Sequence, residues 1–156
     1  MSQTWEGLAA GVDCPFDTLT ETSDEYKDFV AHLSVSSLYL ARNQAYRGTC
    51  SLIFRERHVV RLDQLSASEW AALSGDLFVA HAAVVRAVEP DHMNVMLLGN
   101  TIPHLHWGLV PRHRNDPRWG APIFMTSRNE MASRQLPLHE QHALIARLRQ
   151  ELAAVV

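Results

Sequence analysis

Apolar residues recur along the chain at two spacings, near 3.6 and near 2, and these divide it into helical and extended segments. The longest helical pattern runs from Ser66 to Val88, with Trp70, Leu73, Leu77, Ala80, Val84 and Val88 on one face. Ser66-Ala67-Ser68-Glu69 has the form of a capping box, and Pro90 stops the run. Trp70 is expected in the core beneath this helix. A closing helix is predicted over about Leu138–Ala153, with Leu138, Ile145, Leu148 and Leu152 on one side. Residues 24–33 carry Tyr26, Phe29, Val30 and Leu33 behind a Ser23/Asp24 cap, which predicts a short helix there as well. Ser37–Ala41 and Cys50–Phe54 read as a hairpin joined by the turn-rich stretch Arg42–Gly48. Met93–Leu98 and His104–Val110 read as a second strand pair across the turn Gly99-Asn100-Thr101-Ile102-Pro103. Short links between neighbouring strands predict an α+β fold with an antiparallel sheet.

No repeat, low-complexity tract or long linker interrupts this pattern, so residues 1–156 are read as a single domain. Composition is that of an ordinary globular chain, 47% hydrophobic and 20% charged. No apolar run is expected to span a bilayer, and Met1–Glu6 lacks the basic start and apolar stretch of a leader. Two cysteines, Cys14 and Cys50, predict no disulfide framework and a cytoplasmic setting. A net charge of −3 without a basic block argues against a nucleic acid polymer as partner, and no membrane partner is expected. A small phosphate ligand is compatible with that charge, because a few local donors hold one phosphate whatever the global balance. The most basic stretch, Arg112-His-Arg-Asn-Asp-Pro-Arg118, follows directly on the pair His104/His106.

On a strand, alternate side chains share a face. His104, His106 and Gly108 would therefore face one way and Leu105, Trp107 and Leu109 the other, into a core. Two imidazoles roughly 6.5–7 Å apart can contact one phosphate, and Gly108 leaves room beside them for a ligand. The His-x-His pattern alone also fits two solvent-facing histidines or a two-histidine metal site. The flanks favour phosphate: Asn94, Asn100 and Thr101 are hydrogen-bond donors, and residues 93–115 contain no carboxylate.

The stretch Asn94-Val-Met-Leu-Leu-Gly-Asn-Thr-Ile-Pro-His-Leu-His-Trp-Gly-Leu-Val-Pro-Arg112 resembles the signature of the histidine-triad (HIT) superfamily, His-x-His-x-His followed by apolar residues. Asn43 through Cys50 and Arg57-His58-Val59 resemble the first part of that fold. Arg114-Asn-Asp-Pro-Arg-Trp-Gly-Ala-Pro122 is similar to the tail of bacterial members associated with diadenosine-polyphosphate hydrolysis. The resemblance implies a sheet of about five strands with one long central helix and a C-terminal helix. It implies a nucleotide hydrolase or nucleotidyl transferase acting on dinucleoside polyphosphates or AMP conjugates. His106, in the middle position, would attack the α-phosphorus and carry the nucleotide covalently, with His104 orienting its surroundings. Asn94, Asn100 and Thr101 fall where relatives hold phosphate oxygens, and Asn43 and His58 where they contact the nucleoside. Relatives commonly pair as homodimers, so a homodimer is expected here.

The resemblance departs at two places. Gly108 stands where the third histidine assists the leaving group, and loss of a positioned acid costs about 10²–10⁴ in rate; a nucleotide-binding protein of low or no activity is the alternative. Zinc-binding relatives carry Cys-x-x-Cys where this chain reads Cys14-Pro-Phe-Asp17. Cys14, Asp17, His58 and His104 could form a mixed zinc set, but a lone Cys-x-x-Asp reads more simply as an inert buried cysteine. No metal and no cofactor are expected on that reading.

Overall fold

The computed structural model describes residues 4–19, 21–116, 118–125, 127, 129 and 134–155. Met1–Gln3 of the stretch read for a leader, and Pro117 of the basic and family-like stretches, lie outside them. Five antiparallel strands form one sheet in the order β1-β2-β3-β5-β4: β1 Lys27–His32, β2 Ser36–Ala41, β3 Cys50–Phe54, β4 His92–Leu97 and β5 His106–Arg112. A short helix α1, Trp5–Ala9, precedes the sheet; α2, Ala67–Val88, and α3, Leu138–Val155, pack together on one of its faces. The α+β architecture is the expected one.

Within residues 24–33, Lys27–His32 form strand β1 and no helix is present. Asp24 Oδ1 accepts from the Tyr26 and Lys27 backbone N–H groups at 2.7 and 2.8 Å, so the residue that resembles a helix cap launches a strand instead. The register slips between Phe29 and Ala31, a bulge that leaves Val30 without a partner across the ladder. Val30, Ala31 and Leu33 join the core while Phe29 meets Tyr39 and His32 edge-on, and this break in the period of two mimics helical spacing. Arg149 of α3 donates to the Val30 and Phe29 carbonyls at 2.8 and 3.2 Å and satisfies groups the bulge leaves free.

In α2, Ser66 caps the helix and exchanges both capping-box bonds with Glu69, as the sequence predicts. Leu73, Ala80 and Val84 are buried, but Trp70 is 43% exposed and lies against the rim of Trp107, so it is not a core residue. In α3, Leu138 is likewise exposed while Ile145, Leu148 and Leu152 are buried. The 22 residues of α2 are long and apolar enough to cross a bilayer by length and composition, contrary to the sequence expectation. Their buried stripe is used against the sheet, and Asp76 within it has a tertiary task. Its carboxylate, 5% exposed, accepts from the Ser34 and Val35 N–H groups and the Ser36 hydroxyl at 3.0, 2.9 and 2.7 Å, holding the β1–β2 turn.

The helix-facing side of the sheet carries Leu38, Leu40, Cys50, Leu52, Phe54, Leu105, Trp107 and Leu109. Register places Tyr39, Ser51, His106, Gly108, Met96, Asn94 and Arg112 on the opposite side, partly roofed by the N-terminal segment. Chemistry is confined to this second face.

Asp76→Ala should strand two backbone donors and lower unfolding free energy by about 2–4 kcal/mol. Urea titration of the variant checks this; a loss below 0.5 kcal/mol, roughly that of a neutral surface change, would show that the turn holds without the helix.

Candidate active site

His104 ends a tight turn just before β5 begins at His106, so the two imidazoles are not both strand residues. His104 is 1% exposed and its Nε2–H donates to the Phe54 carbonyl at 2.7 Å. His106 Nδ1–H donates to the His104 carbonyl at 2.6 Å. A carbonyl only accepts, so each bond assigns the proton: His106 keeps a lone pair on Nε2 and His104 on Nδ1. Burial holds the His106 pKa below the ordinary imidazole range, opposed by its bond to the His104 carbonyl. The ring is therefore neutral near pH 7, with Nε2 available as a nucleophile. Phe16, from the N-terminal segment, sits edge-on to both imidazoles at 5.7 and 5.1 Å.

Gly99, at φ 144°, turns the chain after β4 and presents Asn100 and Thr101 beside His106. Leu98, Gly99, Asn100, Thr101, Ile102 and His106 line a cavity of about 240 Å³. Ile102 also borders a larger one, about 660 Å³, walled by Phe16, Leu19, Tyr26, Lys27, Ala41 and Ser51 among others. The structure thus brings Asn100 and Thr101 to His106, with an apolar-walled cavity adjoining.

Other predicted residues lie elsewhere. Asn94 is opposite Val110, four residues along the strand from His106, and its Oδ1 accepts from Arg112 at 2.9 Å. Asn43 folds back on its own turn, accepting from the Ala45 N–H at 3.1 Å, and the walls of neither cavity include it. The room expected beside Gly108 is covered: a Cβ built there would meet the Met96 methyl at 3.4 Å. Met96 pairs with Gly108 across the ladder, a neighbour that no single-strand pattern reveals.

His58 faces Asp17 and His104 rather than a nucleoside cavity. Its Nδ1 is 2.9 Å from Asp17 Oδ2, and its ring is edge-on to His104 at 5.2 Å. Ligand atoms of Cys14, Asp17, His58 and His104 all lie within 4.8 Å of one another. Cys14 Sγ is 3.7 Å and Asp17 Oδ1 3.2 Å from His104 Nδ1, the unprotonated nitrogen. A lone pair turned toward a carboxylate oxygen is unfavourable unless a proton or cation lies between them, and His58 Nε2 is buried without a partner. Zinc bonds of about 2.0–2.3 Å in a tetrahedron set ligand atoms roughly 3.3–3.8 Å apart, and these separations are comparable. The Phe54 carbonyl already fixes the His104 tautomer that a metal would need. The donor set fits zinc.

The profile of the HIT domain matches residues 23–115. Among solved structures, a histidine-triad protein of Sinorhizobium meliloti superposes with a TM-score of 0.75 at 19% identity, over 86% of this chain and 96% of that one. One from Bradyrhizobium japonicum gives 0.74 at 21% identity, over 86% and 97%. A histidine-triad nucleotide-binding protein of Sulfolobus tokodaii gives 0.67 at 16% identity, over 91% and 93%. No curated protein matches the chain.

Chelator-competition titration should show uptake of one zinc ion per chain, weakened by 10-fold or more in Cys14→Ala, by analogy with other metal-site perturbations. Equal affinity in both proteins would exclude Cys14 as a ligand.

Proposed function

The chain belongs to the HIT domain family of nucleotide-binding hydrolases and transferases, and from that premise we propose that it cleaves dinucleoside polyphosphates or AMP conjugates through a nucleotidyl-His106 intermediate. One observation carries the reading: the His104 carbonyl accepts a hydrogen bond from His106 Nδ1–H, which keeps the proton there and leaves the Nε2 lone pair on a residue that lines a phosphate-sized cavity. Nε2 attacks the α-phosphorus, the N–P bond forms, and the P–O bond to the leaving group breaks with its electron pair on oxygen. Water then attacks the same phosphorus, and nucleotide leaves as His106 is regenerated. Asn100 and Thr101 are assigned to the phosphate oxygens, where donors aimed at developing negative charge contribute most. The cavity of about 660 Å³ is assigned to the nucleoside, its size lying within the usual range for small-molecule sites. Asn94 and Asn43 keep no part in this assignment, since each is committed to a local bond.

Zinc held by Cys14, Asp17, His58 and His104 would supply a structural clamp. It would tie the segment bearing Phe16 to the turn that orients His106, in place of the Asp17–imidazole contacts. Gly108 favours a second reading, binding without turnover, because neither it nor the Met96 methyl above it can protonate a leaving group.

A homodimer is proposed through β4. This strand is the sheet edge, and Val95 and Leu97 on its helix-ward side stay 43% and 39% exposed. An antiparallel edge pairs with its own copy about a two-fold axis without further complementarity, and such pairing would cover both residues.

Rapid quench with labelled diadenosine tetraphosphate should trap an acid-labile phosphoramidate on His106, and His106→Ala should lower turnover at least 10³-fold. Turnover unchanged in the variant removes the mechanism, and nucleotide binding without any adduct selects the second reading. Light scattering should give twice 17.6 kDa for the parent and a monomer for Val95→Lys; a monomeric parent rules out the pairing.

A further inference from the structure

A further cavity lies away from His106. About 790 Å³ opens on the same sheet face, farther along β4 and β5, with Asn94, Met96, Arg112, Trp119, Ile123 and Phe124 among its walls. Register gives its position. Along β5 the face reads His106, Gly108, Val110, Arg112, with Met96 opposite Gly108 and Asn94 opposite Val110. Asn94 is therefore about 13 Å from His106 at roughly 3.3 Å per residue.

The walls of this cavity are built, not incidental. Arg112 is 4% exposed, and all its nitrogens are engaged. Nε and Nη2 bond the Asp116 carboxylate at 2.6 and 3.1 Å, Nη1 bonds Asn94 Oδ1 and the Ala121 carbonyl at 2.9 Å each, and Nη2 also bonds the Arg118 carbonyl at 3.1 Å. Its guanidinium lies 4.9 Å over the Tyr46 ring. One buried cation thus grips the chain on both sides of Trp119 and sets that indole as a wall, 43% exposed, with Phe124 nearby at 74%. Large exposed aromatic rings bordering a cavity are suited to a planar ring.

Between this cavity and His106 the face carries Gly108, the Met96 side chain over it, and buried Val110, which packs with Ala45, Tyr46 and Ile123. The space that glycine leaves at position 108 is taken by the flexible Met96 thioether, its methyl 3.4 Å from where a Cβ would stand.

We propose that the cavity walled by Trp119 and Phe124 receives the base of a leaving group that is itself a nucleotide. The ligand class is a heteroaromatic ring joined to the scissile phosphorus through an oligophosphate and a ribose, which in extended form cover the distance from His106. This inference rests on the nucleotidyl-His106 reading and adds a second site to it. With diadenosine tetraphosphate, Nε2 displaces ATP: the N–P bond forms, the bridging P–O bond breaks, and ATP departs carrying the electron pair and the second adenine. An oligophosphate leaving group needs little protonation, which agrees with glycine at position 108.

The test compares diadenosine tetraphosphate with adenosine tetraphosphate, which differ only in the second adenosine. Calorimetry uses His106→Ala, so that neither is consumed, and AMP reports an intact first site. The dinucleotide should bind about 10-fold more tightly, as expected for one base stacked on an aromatic ring. In His106→Ala/Trp119→Ala the two tetraphosphates should bind alike, and in His106→Ala/Trp119→Phe most of the preference should return. Equal affinity in His106→Ala, or a preference that survives Trp119→Ala, overturns the second site while AMP binding leaves the first standing. Loss of AMP binding from His106→Ala and the parent alike overturns both. A change of oligomeric state in the Trp119→Ala protein with the preference intact would assign the cavity to protein contact and overturn the inference.

Discussion

Two hydrogen bonds from imidazole to backbone carbonyl organise the reactive end of this molecule. His104 donates to Phe54 and His106 donates to His104, so the protonation of one ring is imposed by the neighbouring strand and that of the other by the turn before it. The consequence runs in two directions. His106 is left with a bare nitrogen toward the phosphate-sized cavity, and His104 is left with one toward Cys14 and Asp17. Both results depend on β3 lying against the start of β5, where Phe54 N–H and C=O are each engaged by residues 104–105. Sheet register, not the histidines alone, therefore sets the chemistry.

The rest of the fold divides its labour by face. Apolar residues of β2, β3 and β5 meet α2 and α3, while the other side carries polar groups and three cavities. Buried charges are retained at joints between elements. Asp76 fastens α2 to the β1–β2 turn, Asp28 ties Arg42 and Gln141 of α3 to β1, and Arg112 binds the 116–121 loop to β4. Each has several hydrogen bonds, the condition under which a buried charge is tolerated.

Gly108 acquires meaning only in this setting. Read along the strand it is a missing side chain; read across the ladder it is the partner of Met96 and the midpoint between two cavities. Loss of an acid at this position suits a leaving group that carries its own charge.

Local patterns by themselves determined α2 with its Ser66/Glu69 box, the β2–β3 hairpin, and the division of Leu105, Trp107 and Leu109 from His106, because these depend on residues within a turn or two of one another. His106 with Asn100 and Thr101 was legible for the same reason: one short turn joins them. Tertiary structure alone decided that residues 27–32 extend, since a bulge satisfied by Arg149, 119 positions away from Val30, disguises their period. It also decided that Asn94 serves Arg112 and that His58 sides with Cys14, Asp17 and His104, a set the resemblance offered as one option, rather than with a nucleoside cavity. Cys14 and His104 are 90 residues apart, and contacts at that separation are set by how sheet and loops close in space, which spacing along a chain does not encode.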